Sequence, residues 1–182
     1  MKKLLFLPLD IEVPKFNFSI DDKFLGRQDH WNAHSVLNEG GNYENFNWLI
    51  DNISLERITL FLHKIQTKKV DSHLDMKPLN RDILEEYKHA MKHEPAGFHV
   101  LLNGKNDSLE IYTGSQWVTP ILPKVPCVYL LNLTSCWHRV KEDPNRETFY
   151  IQGYFNTEKH TKLIERNLKI YSDLAIYEYT GV

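Results

Sequence analysis

Residues 126–155 read PCVYLLNLTSCWHRVKEDPNRETFYIQGYF, and their pattern decides the fold. The apolar run 126–134 reads as a buried strand, with His138 at its end. Eight residues after His138, Arg146 opens a second strand candidate, 146–155. Side chains alternate faces along a strand, so Arg146, Thr148, Tyr150 and Gln152 share one side. Glu147, Phe149, Ile151 and Phe155 fall mostly on the other. One face is polar enough to line a pocket, and the opposite face is apolar enough to carry helices.

Working outward, residues 4–14 read as extended and 30–37 as a strand, with a short helix over Glu44–Asn52. Further strands are expected at Arg57–Gln66, Val70–Asp75, 98–103, 108–113 and 116–121, with turn residues between them. A helix is expected over 79–94, with Asn80 as N-cap, Ile83, Leu84, Tyr87, Ala90 and Met91 on one face, and Pro95-Ala-Gly97 ending it. A last helix is expected over 157–172, with Leu163, Ile164, Leu168 and Tyr171 on its face. Short strands at regular spacing predict a mainly β sandwich or barrel with flanking helices. Chain length suits one domain, 1–182, with its core at about 57–156.

Bulk properties exclude several classes. The formal charge is −2, which gives no electrostatic case for nucleic acid or an anionic membrane. Cys127 and Cys136 are the only cysteines and form no CxxC, so both are expected to be reduced core residues of a cytoplasmic protein. The start MKKLLFLPLDIEVP resembles a signal peptide only superficially: Pro8, Asp10 and Glu12 interrupt it, and it reads as an extended segment. No apolar run is long enough to span a bilayer. The GxSxG, GxxxxGK[ST] and GxGxxG motifs are absent.

The chemistry concentrates in His73-Leu74-Asp75 and in His138. Two strand positions apart, His73 and Asp75 reach the same side. With His138 they make the two-histidine, one-carboxylate facial set of non-haem Fe(II) oxygenases, which leaves coordination positions open. 2-Oxoglutarate chelates such an iron through its keto-acid end. Its far carboxylate needs a buried cation, and Arg146 supplies a permanently charged fork, with the Thr148 hydroxyl on the same face. Taken singly, the parts have plainer readings. His73 and Asp75 suit a surface turn, His138 a core histidine bonded to backbone, and Arg146 an ion pair with Asp143 or Glu147.

Together these residues resemble the 2-oxoglutarate/Fe(II)-dependent oxygenases, nearest in flavour to the prolyl-hydroxylase-like and aspartyl/asparaginyl-hydroxylase-like members. The segments His138–Arg146 and Phe149–Phe155 look like that family's distal histidine, carboxylate-anchoring arginine and final strand, and Leu101–Tyr112 looks like its central hairpin. The resemblance covers about residues 57–156 and implies a jelly roll, the double-stranded β-helix. It also implies Fe(II) on His73, Asp75 and His138, with 2-oxoglutarate as small-molecule cosubstrate on Arg146. The cosubstrate would be decarboxylated to succinate while a substrate is hydroxylated. A tyrosine that contacts the cosubstrate in prolyl-hydroxylase-like enzymes would fall near Leu101 and is missing here; His99 or His63 could replace it.

The substrate is expected to be a peptidyl side chain or a small metabolite, with a nucleobase disfavoured. His89 and His93 share helical i, i+4 spacing but lack the Glu of HExxH, and read as a solvated helix face. His30 and His34 read as same-face strand residues. The His-x-His motif of cupins is absent. Two alternatives stay open: a catalytically silent jelly-roll metal-binding module, and a cupin-type metalloenzyme that does not use 2-oxoglutarate.

Overall fold

A computed structural model describes residues 2–15, 24–28, 31–35, 44–66, 68–75 and 91–179. In chain order these form β1 (Leu4–Leu9), β2 (Phe24–Gln28), β3 (Trp31–Ser35) and a 3₁₀ turn (Glu44–Phe46) running into the short helix α1 (Asn47–Ile50). Then come β4 (Leu55–Gln66), β5 (Val70–His73), β6 (Ala96–Asn103), β7 (Leu109–Tyr112), β8 (Trp117–Val118), β9 (Cys127–Asn132), β10 (His138–Val140) and β11 (Arg146–Phe155). Helix α2 (Thr157–Tyr171) and β12 (Ile176–Tyr177) complete the set.

The protein is mainly β, with two antiparallel sheets. One has eight strands in the order β12-β1-β9-β6-β11-β4-β3-β2; the other has four, β5-β10-β7-β8. Within them the pairings nest: β4 with β11, β5 with β10, β6 with β9 and β7 with β8. Each inner pair sits inside the next in sequence, and the pairs alternate between the sheets.

The central strands β1, β9, β6 and β11 of the large sheet are buried on both faces, and alternation divides their side chains. Phe61, Phe98, Val100, Val128, Leu130, Phe149, Ile151 and Phe155 form one core with Phe46 and Leu49 and with Leu163 and Ile164 of α2. Leu101, Tyr129 and Leu131 face the other way, into a second core with Val70, Leu109, Ile111 and Val140 of the small sheet. In the β4–β11 ladder two irregularities, at Gln152/Gly153 and Tyr154/Phe155, each put an extra residue into β4, and Ile58 and Leu55 thereby stay on the apolar side with Phe61.

One strand expected from sequence is cut short. The run 126–134 ends as strand at Asn132, and His138 begins a new strand in the other sheet rather than closing the first. The Asn132 side chain causes the break, its Oδ1 accepting from the backbone N–H of Thr134 at 2.8 Å and of Ser135 at 2.9 Å. Such local bonds give the backbone partners outside the ladder.

A second corner sets the entry to β11. Asp143 is fully buried and accepts from the N–H of Lys105 at 2.6 Å and of Asn145 at 3.1 Å. This ties the β6–β7 turn to the residues just before Arg146. Gly104 in that turn has φ +128°, and a Cβ there would stand 2.7 Å from Asp143 Oδ2, so only glycine fits.

Strands β2, β10 and β12 are additions to the expected set. Of the helix expected over 79–94, residues 76–90 lie outside the described residues, and 91–94 are bends and coil. His30 and His89 lie outside them too. The C-terminal helix appears as expected, capped by the Asn156 side chain, which accepts from Lys159 N at 2.9 Å. Its buried face adds two polar residues, His160 and Asn167, to Leu163 and Ile164. Among the described residues no helix is long and apolar enough to cross a membrane. Cys127 and Cys136 are free and buried.

His160 makes this packing sensitive to acid. Its Nε2–H donates to the Glu94 carbonyl at 3.2 Å, and Nδ1 accepts from the Ser54 hydroxyl at 2.8 Å, so the ring is neutral. Burial, chiefly, lowers its pKa to about 4. The folded value lies below the unfolded one, so this contribution is whole above about pH 6.5 and is lost as pH falls toward 4. Urea unfolding at pH 7 and pH 5 should show wild type losing roughly 2 kcal/mol more than His160→Gln. Equal losses would refute the assignment.

Candidate metal centre

The pairing of β10 with β5 places His138 opposite His73. Their rings lie 4.3 Å apart between centroids. Asp75 follows β5 by two residues and turns into the same space. Its Oδ1 lies 3.7 Å from Nε2 of His73 and 3.7 Å from Nε2 of His138. All three ligand atoms fall within 4.8 Å of one another, so this group could hold a metal ion.

Both histidines are pre-set as ligands. His73 Nδ1 bonds to the Asp71 carbonyl at 2.8 Å, and His138 Nδ1 bonds to the Cys136 carbonyl at 3.0 Å. A carbonyl only accepts, so each Nδ1 carries a proton, and Nε2 is the ring atom that each histidine turns toward Asp75. His138 is therefore bonded to backbone, as its plainer reading has it, and still has a free ligand atom.

Electrostatics agree with that arrangement. Burial holds the His138 pKa down to about 4, against the opposing pull of Asp75, so the ring is neutral near pH 7. Burial alone would raise the Asp75 carboxyl, but His138, His99 and Lys64 together hold it well below the usual carboxylate range. The outcome is a neutral imidazole at His138 and an ionised carboxylate at Asp75, protonation states that suit metal binding. Asp75 Oδ2 is buried and has no hydrogen-bond partner.

A small pocket open to solvent joins the triad to Arg146 and Thr148. Arg146 is 3% exposed, and its guanidinium donates only to neutral oxygens. Nε reaches Gln66 Oε1 at 3.2 Å, Nη1 reaches Ser108 Oγ at 2.7 Å, and Nη2 reaches Tyr129 Oη at 3.2 Å. No carboxylate among the described residues pairs with it. The ion pairs considered from sequence do not form. Asp143 is engaged by backbone N–H groups, and Glu147 faces away and bonds to His63 at 2.7 Å.

The same geometry corrects one expected cosubstrate contact. His63 stands opposite Phe149 in the β4–β11 ladder and packs against that ring on the apolar face, 5.3 Å between centroids. It does not line the pocket. Its neighbour Lys64, opposite Thr148, does. His99 also lines the pocket, stacked on Tyr129 at 5.1 Å with the planes 1° apart. The expected solvated helix face at His89 and His93 is not what the described member shows: His93 is half-buried on a bend, with Nε2 buried and unpartnered.

Sequence reading missed Lys64, Gln66, Ser108 and Tyr129. Only Tyr129 left a usable signal, since alternation along 126–134 puts it on one face with Cys127 and Leu131. The sequence matches no protein-family model and no curated protein.

If the three residues form one metal centre, His138→Ala should weaken metal binding by more than the roughly 10–100-fold typical of losing a supporting residue. His93→Ala should leave it unchanged. Calorimetric titration with Co(II) or Zn(II) measures both, and wild-type affinity in His138→Ala would refute the centre.

Proposed function

We propose that this chain is an Fe(II)- and 2-oxoglutarate-dependent dioxygenase on a jelly-roll scaffold, hydroxylating a peptidyl side chain or a small metabolite. The observation that carries the reading is the buried Arg146, surrounded by neutral oxygens, in the same pocket as a His/Asp/His group. A buried cation without a counter-ion is costly. A ligand carboxylate bound there recovers part of that cost through charge-assisted bonds.

The scaffold part of the reading rests on the nested pairing of β4 to β11, which describes a long hairpin rolled across two sheets. In this reading His73, Asp75 and His138 hold the ion on one side. Such an ion supplies the activation of O₂ and of the substrate C–H bond. Arg146 anchors the distal carboxylate of the cosubstrate, with Thr148 beside it as a hydroxyl donor. Gln66, Ser108 and Tyr129 fix the guanidinium in place. Leu109, Leu131 and Val140 line the pocket and limit water around these charges.

Arg146→Ala should weaken 2-oxoglutarate by about 30-fold or more while leaving metal affinity intact, because it removes one partner of a buried charge pair. The measurement is anaerobic titration of 2-oxoglutarate into Fe(II)-loaded protein, read by the visible metal-to-ligand charge-transfer band. Equal cosubstrate affinity in the variant would place the anchor elsewhere. Iron uptake by wild type with no band at any 2-oxoglutarate concentration would favour a metal-only enzyme or a silent binding module.

A further inference from the structure

Two buried polar atoms without hydrogen-bond partners face each other at the edge of the metal group. They are Asp75 Oδ2 and His99 Nε2, 3.1 Å apart. Their separation suits a bond, while their alignment does not make one. The other oxygen, Oδ1, is the one shared at 3.7 Å by His73 and His138. The carboxylate is thus divided, with one oxygen toward the two ligand histidines and the other toward His99.

The His99 ring has little freedom to do anything else. It is 7% exposed, stacked on Tyr129, and 4.7 Å between centroids from Tyr150. The backbone of β6 fixes it from below: His99 pairs with Tyr150 of β11 on one side and with Tyr129 of β9 on the other. A donor held this way can restrict how a flexible neighbour turns, whereas Asp75 lies in a bend beyond the end of β5.

We propose that His99 is a positioning residue that donates from Nε2 to Asp75 Oδ2 and so presents Oδ1 alone to the ion. Two-oxygen binding by the carboxylate would fill a position that an exogenous ligand needs; His99 keeps that position open. The role rests on the metal reading above but is independent of 2-oxoglutarate. It also moves His99 from contacting the cosubstrate to acting through the carboxylate.

The test uses Co(II) as probe on the full chain without cosubstrate, in wild type, His99→Leu and His99→Gln. The leucine variant should bind Co(II) about 10–100-fold more weakly and with altered visible band intensity, because the carboxylate is no longer held to one oxygen. The glutamine variant keeps an N–H donor and should recover affinity and spectrum in large part. Wild-type affinity and spectrum in His99→Leu would overturn the proposal.

A second measurement needs no variant. In Zn(II)-loaded, ¹⁵N-histidine-labelled wild type, His99 should carry its proton on Nε2, and His73 and His138 on Nδ1. A proton on Nδ1 of His99 would overturn the proposal while leaving the metal centre standing. Wild-type protein that takes up neither ion would overturn the metal reading and this proposal with it.

Discussion

The pairing of β10 with β5 sets His138 opposite His73, and the rest of the site depends on that register. Side chains in a strand repeat every second residue, so a slip of one would turn a ligand away from the pocket. The register is held from several directions. β10 is also paired with β7, where His138 lies opposite Ile111 and Val140 opposite Leu109. Val140, Ile111, Leu109 and Val70 all sit in the core between the sheets, so a slipped strand would also expose apolar side chains. Packing and metal geometry are therefore fixed by the same alternation.

The large sheet solves a related problem. It carries a polar row, Arg146, Thr148, Tyr150 and Gln152, that is almost entirely out of solvent. Buried polar groups are tolerable only when partnered. Arg146 takes its partners from three other strands or turns, and Gln152 Nε2 donates to the Asp75 carbonyl at 3.3 Å. That last bond ties the bend carrying the Asp75 carboxylate to the sheet carrying the arginine. Two buried atoms without hydrogen-bond partners, Asp75 Oδ2 and His99 Nε2, belong to residues that line this pocket.

Sequence made some of this readable and hid the rest for physical reasons. His73 and Asp75 could be placed on one side because the strand period is two. Arg146 and Thr148 could be placed in the pocket because β11 alternates cleanly between polar and apolar. The same logic failed on β4. Both faces of the strand are buried at Phe61, Leu62 and His63, so these give weak alternation, and His63 was assigned the face that belongs to Lys64. The separate origin of β10 was hidden because the break lies in Asn132 side-chain bonds rather than in any loss of apolar character. Gln66, Ser108 and Tyr129 come together only through pairings and turns far apart in sequence, which no local pattern encodes.

Under the proposed function, charge balance would favour an anionic ligand over a neutral one. Formally, Arg146 and the Asp75 carboxylate cancel, yet they do not touch: Arg146 holds neutral oxygens, and Asp75 faces histidines. With Lys64 also lining the pocket, a divalent ion at the triad would leave a net three positive charges among these groups in a low-dielectric space. A ligand with one carboxylate at the ion and another at the guanidinium would restore neutrality at both ends. A monoanion at the ion would leave Arg146 as it now stands.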